Sequence, residues 1–170
     1  MWSFRTTVIA VFAVASACGF QPLHAPGGGA VPSVLAKIDV APIPDRLGQV
    51  VRNYLVDWLT PRGSPIAAKY RVVVSLQLSK EALAIARDDS ATRFNVSLEA
   101  TYDLLLVSSG DIVLKGTVRS VSAYNIVSSD YANVIAERNA ELRSARKISD
   151  AVKTQLSIYL SQNERTQSQG

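Results

Sequence analysis

The sequence predicts an α+β fold, a two-layer sandwich with two helices packed on one face of a four-stranded, mostly antiparallel sheet in the order β-α-β-β-β-α. Three observations carry this prediction. Residues 47–59 place their apolar side chains on a single helical face. Between residues 70 and 124 the apolar side chains instead alternate with polar ones, in long stretches joined by short turns. From Asp130 onward the helical period returns in an alanine-rich stretch. Two amphipathic helices need an apolar surface to cover, and one face of an antiparallel sheet supplies it.

A first strand is expected over residues 34–41, closed by Pro42 and Pro44, with Asp45 as the N-cap of the first helix. Leu47, Val50, Val51, Tyr54, Leu55, Trp58 and Leu59 form that helix's apolar face, and Thr60, Pro61, Arg62 and Gly63 stop it. Tyr70, Val72, Val74, Leu76 and Leu78 then alternate with Arg71, Val73, Ser75, Gln77 and Ser79. After Lys80 and Glu81 the apolar positions become odd, at Leu83 and Ile85, which fits either a β-bulge or a short helical segment. Asp88, Asp89 and Ser90 make the next turn. The clearest strand covers residues 93–107, with Phe94, Val96, Leu98, Ala100, Tyr102, Leu104 and Leu106 facing one way. A turn at Ser108, Ser109, Gly110 and Asp111 leads to a fourth strand over residues 112–124. The last helix, over residues 130–162, carries a stripe of Tyr131, Ile135, Leu142, Ala145, Val152, Leu156 and Tyr159, interrupted by Arg138 and Ser149. Residues 163–170 read as a disordered polar tail.

The N-terminus tells where the protein works. Arg5, an apolar run over residues 8–14 and the small residues Ala15, Ser16 and Ala17 make a secretory signal over residues 1–17. The run is too short to span a bilayer, which takes about 18 residues. Cys18, the only cysteine, follows directly, as at a bacterial lipoprotein cleavage site. Such boxes usually carry Leu where this chain has Ala15, so an ordinary cleaved signal with a free thiol is the alternative. A lone free thiol is a liability in an oxidising compartment, and acylation removes it. More than one acyl chain on Cys18 would hold the protein stably on a membrane. Gly19, in place of an Asp retention signal, directs the expectation to the outer membrane. Residues 18–33, with Pro22, Pro26, Pro32 and the Gly27, Gly28, Gly29 run, read as a lipidated flexible tether reaching about 50 Å when extended. Residues 34–162 form the folded domain.

The residue inventory narrows the chemistry. The net charge is +4, one unit less after loss of Arg5, with no polybasic run, so nucleic acid is not an expected partner. His24 is the only histidine and lies in the tether, which removes Ser-His-Asp and Cys-His sites from the domain. No metal-ligand cluster and no phosphate loop occurs, so no metal, cofactor or enzymatic activity is expected. Asp88 and Asp89 read as solvated turn residues. The outward sheet face is expected to carry Arg71, Arg93, Lys115 and Arg119 with Asn95, Ser97 and Thr101. An ordinary solvated face is the first reading of this set, since Glu99 and Asp103 share it. A cradle for an anionic ligand is the other.

The ordered set of features resembles the LptE family of lipopolysaccharide-assembly lipoproteins. The resemblance rests on the signal ending in Cys18, Gly19 and Phe20, the Pro-rich tether and the strand from Arg93 to Leu104. Gly116, Thr117, Val118 and Arg119, the approach from Tyr124 to Tyr131 through Ser128 and Ser129, and the long last helix complete it. It covers nearly all of the mature chain, and no single motif in it is highly specific. It implies two helices on a four-stranded sheet, and a lipoprotein that plugs and helps assemble the LptD β-barrel translocon and binds lipopolysaccharide during delivery. A large barrel has a polar lumen that a domain with a wet sheet face suits, and lipid A phosphates suit Arg and Lys. Arg93 is then the first candidate ligand contact, followed by Arg71, Lys115 and Arg119. Two other readings remain open: an auxiliary lipoprotein of a periplasmic lipid-transport ABC system, and a structural envelope lipoprotein without a ligand.

Overall fold

The computed structural model describes residues 35–60, 65, 67–85 and 91–167. All belong to the second of two units into which the chain divides, Val31–Gly170. The expected signal peptide, Cys18 and the tether lie outside the described residues, as do Asp88, Asp89 and Ser90. The elements are β1 (Ile38–Val40), α1 (Asp45–Leu59), β2 (Tyr70–Ile85), β3 (Ala91–Leu106), β4 (Ile112–Asn125) and α2 (Asp130–Gln167), in the predicted order.

The first strand is shorter than expected. Leu35–Lys37 is a 3-10 turn, and only Ile38–Val40 pairs, parallel to β2, with Ile38 opposite Tyr70 and Val40 opposite Val72. A last rung runs from the Ala41 amide to the Val72 carbonyl at 3.0 Å. Pro42 has no amide to continue the ladder. Asp45 is not the N-cap. Pro44 occupies that position without a side-chain cap, and Asp45 is the first helical residue, with a φ of 69°. That left-handed geometry is one Asp tolerates better than most residues. Gly48, Val51, Leu55 and Leu59 are buried along α1, and Thr60 closes it through its amide to the Val56 carbonyl at 2.8 Å.

The sheet order is β1-β2-β3-β4, and both later pairings are antiparallel. Of the two readings after Glu81, the bulge is the one observed. Ala82 pairs with Phe94 and Ala84 with Arg93, so Leu83 is the extra residue. β3 turns into β4 through Gly110, whose φ of 78° suits a residue without Cβ. The Leu106 amide and the Asp111 carbonyl close that turn at 2.9 Å.

Val72, Val74, Leu98, Ala100, Tyr102 and Leu104 face both helices and join Val51, Leu55 and Leu59 of α1 in one buried core. Ala145, Ile148, Val152, Leu156 and Leu160 of α2 complete it. α2 starts where Ser129 caps it, its Oγ accepting from the Ala132 amide at 3.4 Å. It ends beyond the expected Gln162, so residues 163–167, expected in the tail, are helical. Its buried face also differs from the expected stripe. Tyr131 is 78% exposed and Ile135 36%, whereas Ser149, read as an interruption, is fully buried.

The reason is the neighbouring helix. Ser149, Leu142 and Ile135 lie seven residues apart, on nearly one stripe of α2. At Ser149 that stripe meets α1, where its Oγ stands 3.4 Å from the Val51 carbonyl and also bonds the Ala145 carbonyl at 2.9 Å. The first turn of α1 reaches α2 through the ion pair of Arg46 with Glu141. Toward the start of α2 there is no α1 to cover the stripe. Leu142 is accordingly half-buried and Ile135 exposed.

Candidate functional site

The four predicted cations share one sheet face, the one away from the helices, because all four occupy odd positions in register. The structure does not bring them together. Leu105 is the β3 partner of Arg71, and Arg93 lies twelve residues along the same strand. The two ends are about 40 Å apart. Nor are the charges equally available. Arg71 Nε donates to Asp39 Oδ2 at 2.9 Å. Lys115 Nζ stands 3.6 Å from Asp103 Oδ1, outside hydrogen-bond range, and that buried oxygen has no hydrogen bond. Arg119 Nε donates to Ser97 Oγ at 2.8 Å and lies opposite Glu99 across the strands. Gln77, Ser79, Ser97, Glu99 and Arg119 line a shallow hollow of about 170 Å³ in the middle of this face. With one cation, one anion and three neutral polar groups, it is nearly charge-balanced and is not an anion cradle.

Arg93 differs from the other three. It is exposed, pairs in register with Asn125, and has no carboxylate within ion-pair distance among the described residues. Beside it, on the helix face, the rings of Phe94 and Tyr124 stack with centroids 5.8 Å apart. Tyr124 donates from Oη to Glu137 Oε2 at 3.2 Å, and Lys80 pairs with the other oxygen of Glu137. The Lys80 hydrogen bond draws the Glu137 carboxyl below its ordinary pKa and raises that of Lys80. Burial pushes the Tyr124 phenol up. This network fixes the first turns of α2 over the end of the sheet that carries Arg93.

The same end exposes large apolar side chains. Leu83 at the bulge is 58% exposed, Val127 after β4 is 52%, and Tyr131 and Val134 on α2 are 78% and 49%. Asn133 holds the connecting loop, bonding both the amide and the carbonyl of Val127 at 2.9 Å. The apolar contribution is not visible in the sequence pattern, which places Tyr131 on the apolar stripe of the last helix. Arg93 on the outward face and these apolar side chains share one end of the sandwich, and a cation at the same end as exposed aliphatic and aromatic surface suits an amphiphile with an anionic head.

Among the described residues no group of His, Cys, Asp and Glu has the geometry of a metal site, and no helix is long and apolar enough to cross a membrane.

Comparison with known proteins places this architecture. No curated protein matches the sequence significantly. Solved structures do match. A protein assigned as a lipoprotein from Caulobacter crescentus CB15 is 24% identical over 78% of this chain and 96% of its own, with a TM-score of 0.62. Rare lipoprotein B from Shewanella oneidensis is 10% identical over 75% of this chain and 98% of its own, with a TM-score of 0.59. A minor lipoprotein from Acinetobacter baumannii is 15% identical over 74% and 94%, with a TM-score of 0.55. At these identities they establish the shared fold. The family model for LptE, described as lipopolysaccharide-assembly, matches residues 35–156, from the 3-10 turn before β1 to the C-terminal part of α2. With most of the chain and every strand inside that match, the protein belongs to the LptE family of lipopolysaccharide-assembly proteins.

Proposed function

We propose that this LptE-family protein is an outer-membrane lipoprotein, anchored through acyl chains on Cys18, that plugs an LptD-like β-barrel and assists lipopolysaccharide delivery. Family membership supports the assembly role. In this reading residues 1–17 are removed and residues 18–33 tether the domain to the membrane. The domain then works on the periplasmic side or within the barrel lumen, where a solvated sheet face suits a polar wall.

The Arg93 end carries the ligand part of the proposal. Lipopolysaccharide has phosphates next to acyl chains, and this end offers an exposed guanidinium, without a carboxylate in ion-pair distance among the described residues, at the same end of the sandwich as exposed Leu83, Val127 and Tyr131. Arg71, Lys115 and Arg119 take secondary places, because each already has a protein partner and stands on a different part of the face.

A tagged mature protein, captured from solubilised outer membranes, should bring down a barrel in one-to-one ratio. Recovery of an inner-membrane transporter would favour the auxiliary-lipoprotein reading, and recovery of the protein alone the structural one. Arg93→Asp should weaken lipopolysaccharide binding by about tenfold, the scale of one lost charge-assisted contact. Equal binding by the variant would remove Arg93 from the site. Acyl labelling that disappears in Cys18→Ser tests the anchor.

A further inference from the structure

Among the described residues, one side of the sheet is left unfinished. β1 pairs with β2 only from Tyr70 to Val72, and no other described strand covers that edge of β2 from there to Ile85. The Val72 carbonyl turns toward β1, accepting from Ala41. Backbone groups alternate sides along a strand. Val74, Leu76, Leu78 and Lys80 therefore turn both N–H and C=O to the open edge, while Val73, Ser75, Gln77 and Ser79 bond β3. No proline interrupts residues 70–85, and the strand stays in register with β3 until the bulge at Leu83. Natural edges are usually short, bulged or covered, and this one is long and regular.

Among the described residues the helix layer is unfinished over the same stretch. α1 covers β1 and the start of β2, and its first turn meets α2 at Glu141. Past that point Leu76 is half-buried and Leu78 is 39% exposed on the helix-side face of β2. Lys80 reaches Glu137, so α2 overlooks the edge there, presenting Ile135 of the stripe that α1 covers at Ser149. Arg138, one residue on from Glu137, is exposed and has no carboxylate within ion-pair distance among the described residues. Lys80 is neutralised by Glu137, so the remaining charge of this shelf is positive.

We propose that residues 74–80 of β2 receive an extended segment of a partner protein as a fifth strand. Its backbone completes the ladder of Val74, Leu76, Leu78 and Lys80. Its alternate apolar side chains cover Leu78 and Ile135, and a carboxylate on it pairs with Arg138. Strand addition at a sheet edge takes affinity from the main chain and specificity from alternate side chains. The protein's own tether does not suit this role, with Pro22, Pro26 and Pro32 in it. A second copy is a poorer match, because it would bring another positive shelf rather than a carboxylate.

The partner follows from the function proposed above, on which this inference rests: it is the chain captured with the mature protein. The test compares amide hydrogen exchange of the mature protein alone and in that complex. The expected result is slowing of about tenfold or more at Val74, Leu76, Leu78 and Lys80, with their odd neighbours unchanged. The second measurement uses Leu78→Pro, which removes one outward N–H without touching the ladder to β3. It should keep the melting temperature of the free protein and lower recovery of the complex by about tenfold, while Leu78→Ala lowers it less.

A complex that forms with the edge amides still exchanging freely overturns the strand proposal and leaves the barrel reading intact. Failure to capture any partner overturns that reading itself. Alternate protection that grows with concentration in the free protein assigns the edge to a second copy and overturns the partner. Protection produced by lipopolysaccharide micelles without alternation assigns the shelf to acyl chains and likewise overturns it. A Leu78→Pro variant that folds and binds fully also overturns it.

Discussion

Two halves of one sandwich are built from the same strands and the same long helix, yet among the described residues only one half is closed. Where α1 lies beside α2, the stripe residue Ser149 is fully buried and the core contains Val51, Leu55, Leu59, Val152 and Leu156. Fourteen residues earlier on the same helix Ile135 is 36% exposed, and eighteen residues earlier Tyr131 is 78% exposed. The apolar character of a helix residue does not decide its burial here. The 15-residue length of α1, set against the 38 residues of α2, decides it. The closed half supplies stability, and the open half leaves apolar and cationic groups available.

The sharpest way to break this comparison is to hollow out the closed half. Leu104→Ala removes a fully buried side chain under both helices and should cost about 2–5 kcal/mol, read by urea unfolding. A loss below about 1 kcal/mol would mean that the core is looser than its burial implies. Gly116→Ala tests the close packing of β3 on β4. A Cβ there would stand 2.4 Å from the hydroxyl of buried Tyr102, the residue opposite, and should cost about 1–3 kcal/mol.

A pair of variants on the α2 stripe sharpens the contrast. Ser149→Leu overfills the contact with α1 and should destabilise by about 1–3 kcal/mol. Ile135→Ser, on the same stripe, should change free-protein stability by about 0.5 kcal/mol or less. Similar effects from both would show that the two halves are not energetically distinct.

The smallest effect concerns the Lys80–Glu137 pair, in which both side chains keep contact with solvent, so its contribution is about 1 kcal/mol or less. Glu137 has a lowered pKa in the fold, so its contribution is present above the ordinary carboxylate range and lost as pH falls through the folded value. Lys80 has a raised pKa, so its contribution is full below the ordinary lysine range and lost as pH rises through the folded value. Glu137→Gln should therefore lower the melting temperature slightly at neutral pH and converge on the parent in acid. A constant difference down to strong acid would assign the effect to packing instead.

The strands were legible because their faces alternate: every apolar residue from Val96 to Leu104 at an even position is buried. The bulge at Leu83 was legible as a change of parity. α2 was legible as a helix but not in its buried face, because which flank gets covered depends on where α1 starts. Asp45 was read as a cap because its chemistry suits one, whereas Pro44 fixes the entry. In the candidate site, the pattern identified which cations share a face. It did not reveal that Asp39, Asp103 and Ser97 occupy three of them, since those partners are fixed by cross-strand register. The exposure of Tyr131 and Val134 at the Arg93 end was hidden for the same reason as the α2 face.

The three-residue seam between β1 and β2 has a consequence for the order of folding. β2, β3 and β4 join through short connections, so their pairing closes small loops first. Ile38 meets Tyr70 across a longer loop that contains α1, which makes that contact the costlier in chain entropy. The meander should be native-like while β1 and α1 still search for their place, and the same seam should open first under stress. Exchange at the Ala41 amide, held by the Val72 carbonyl at 3.0 Å, reports that opening directly.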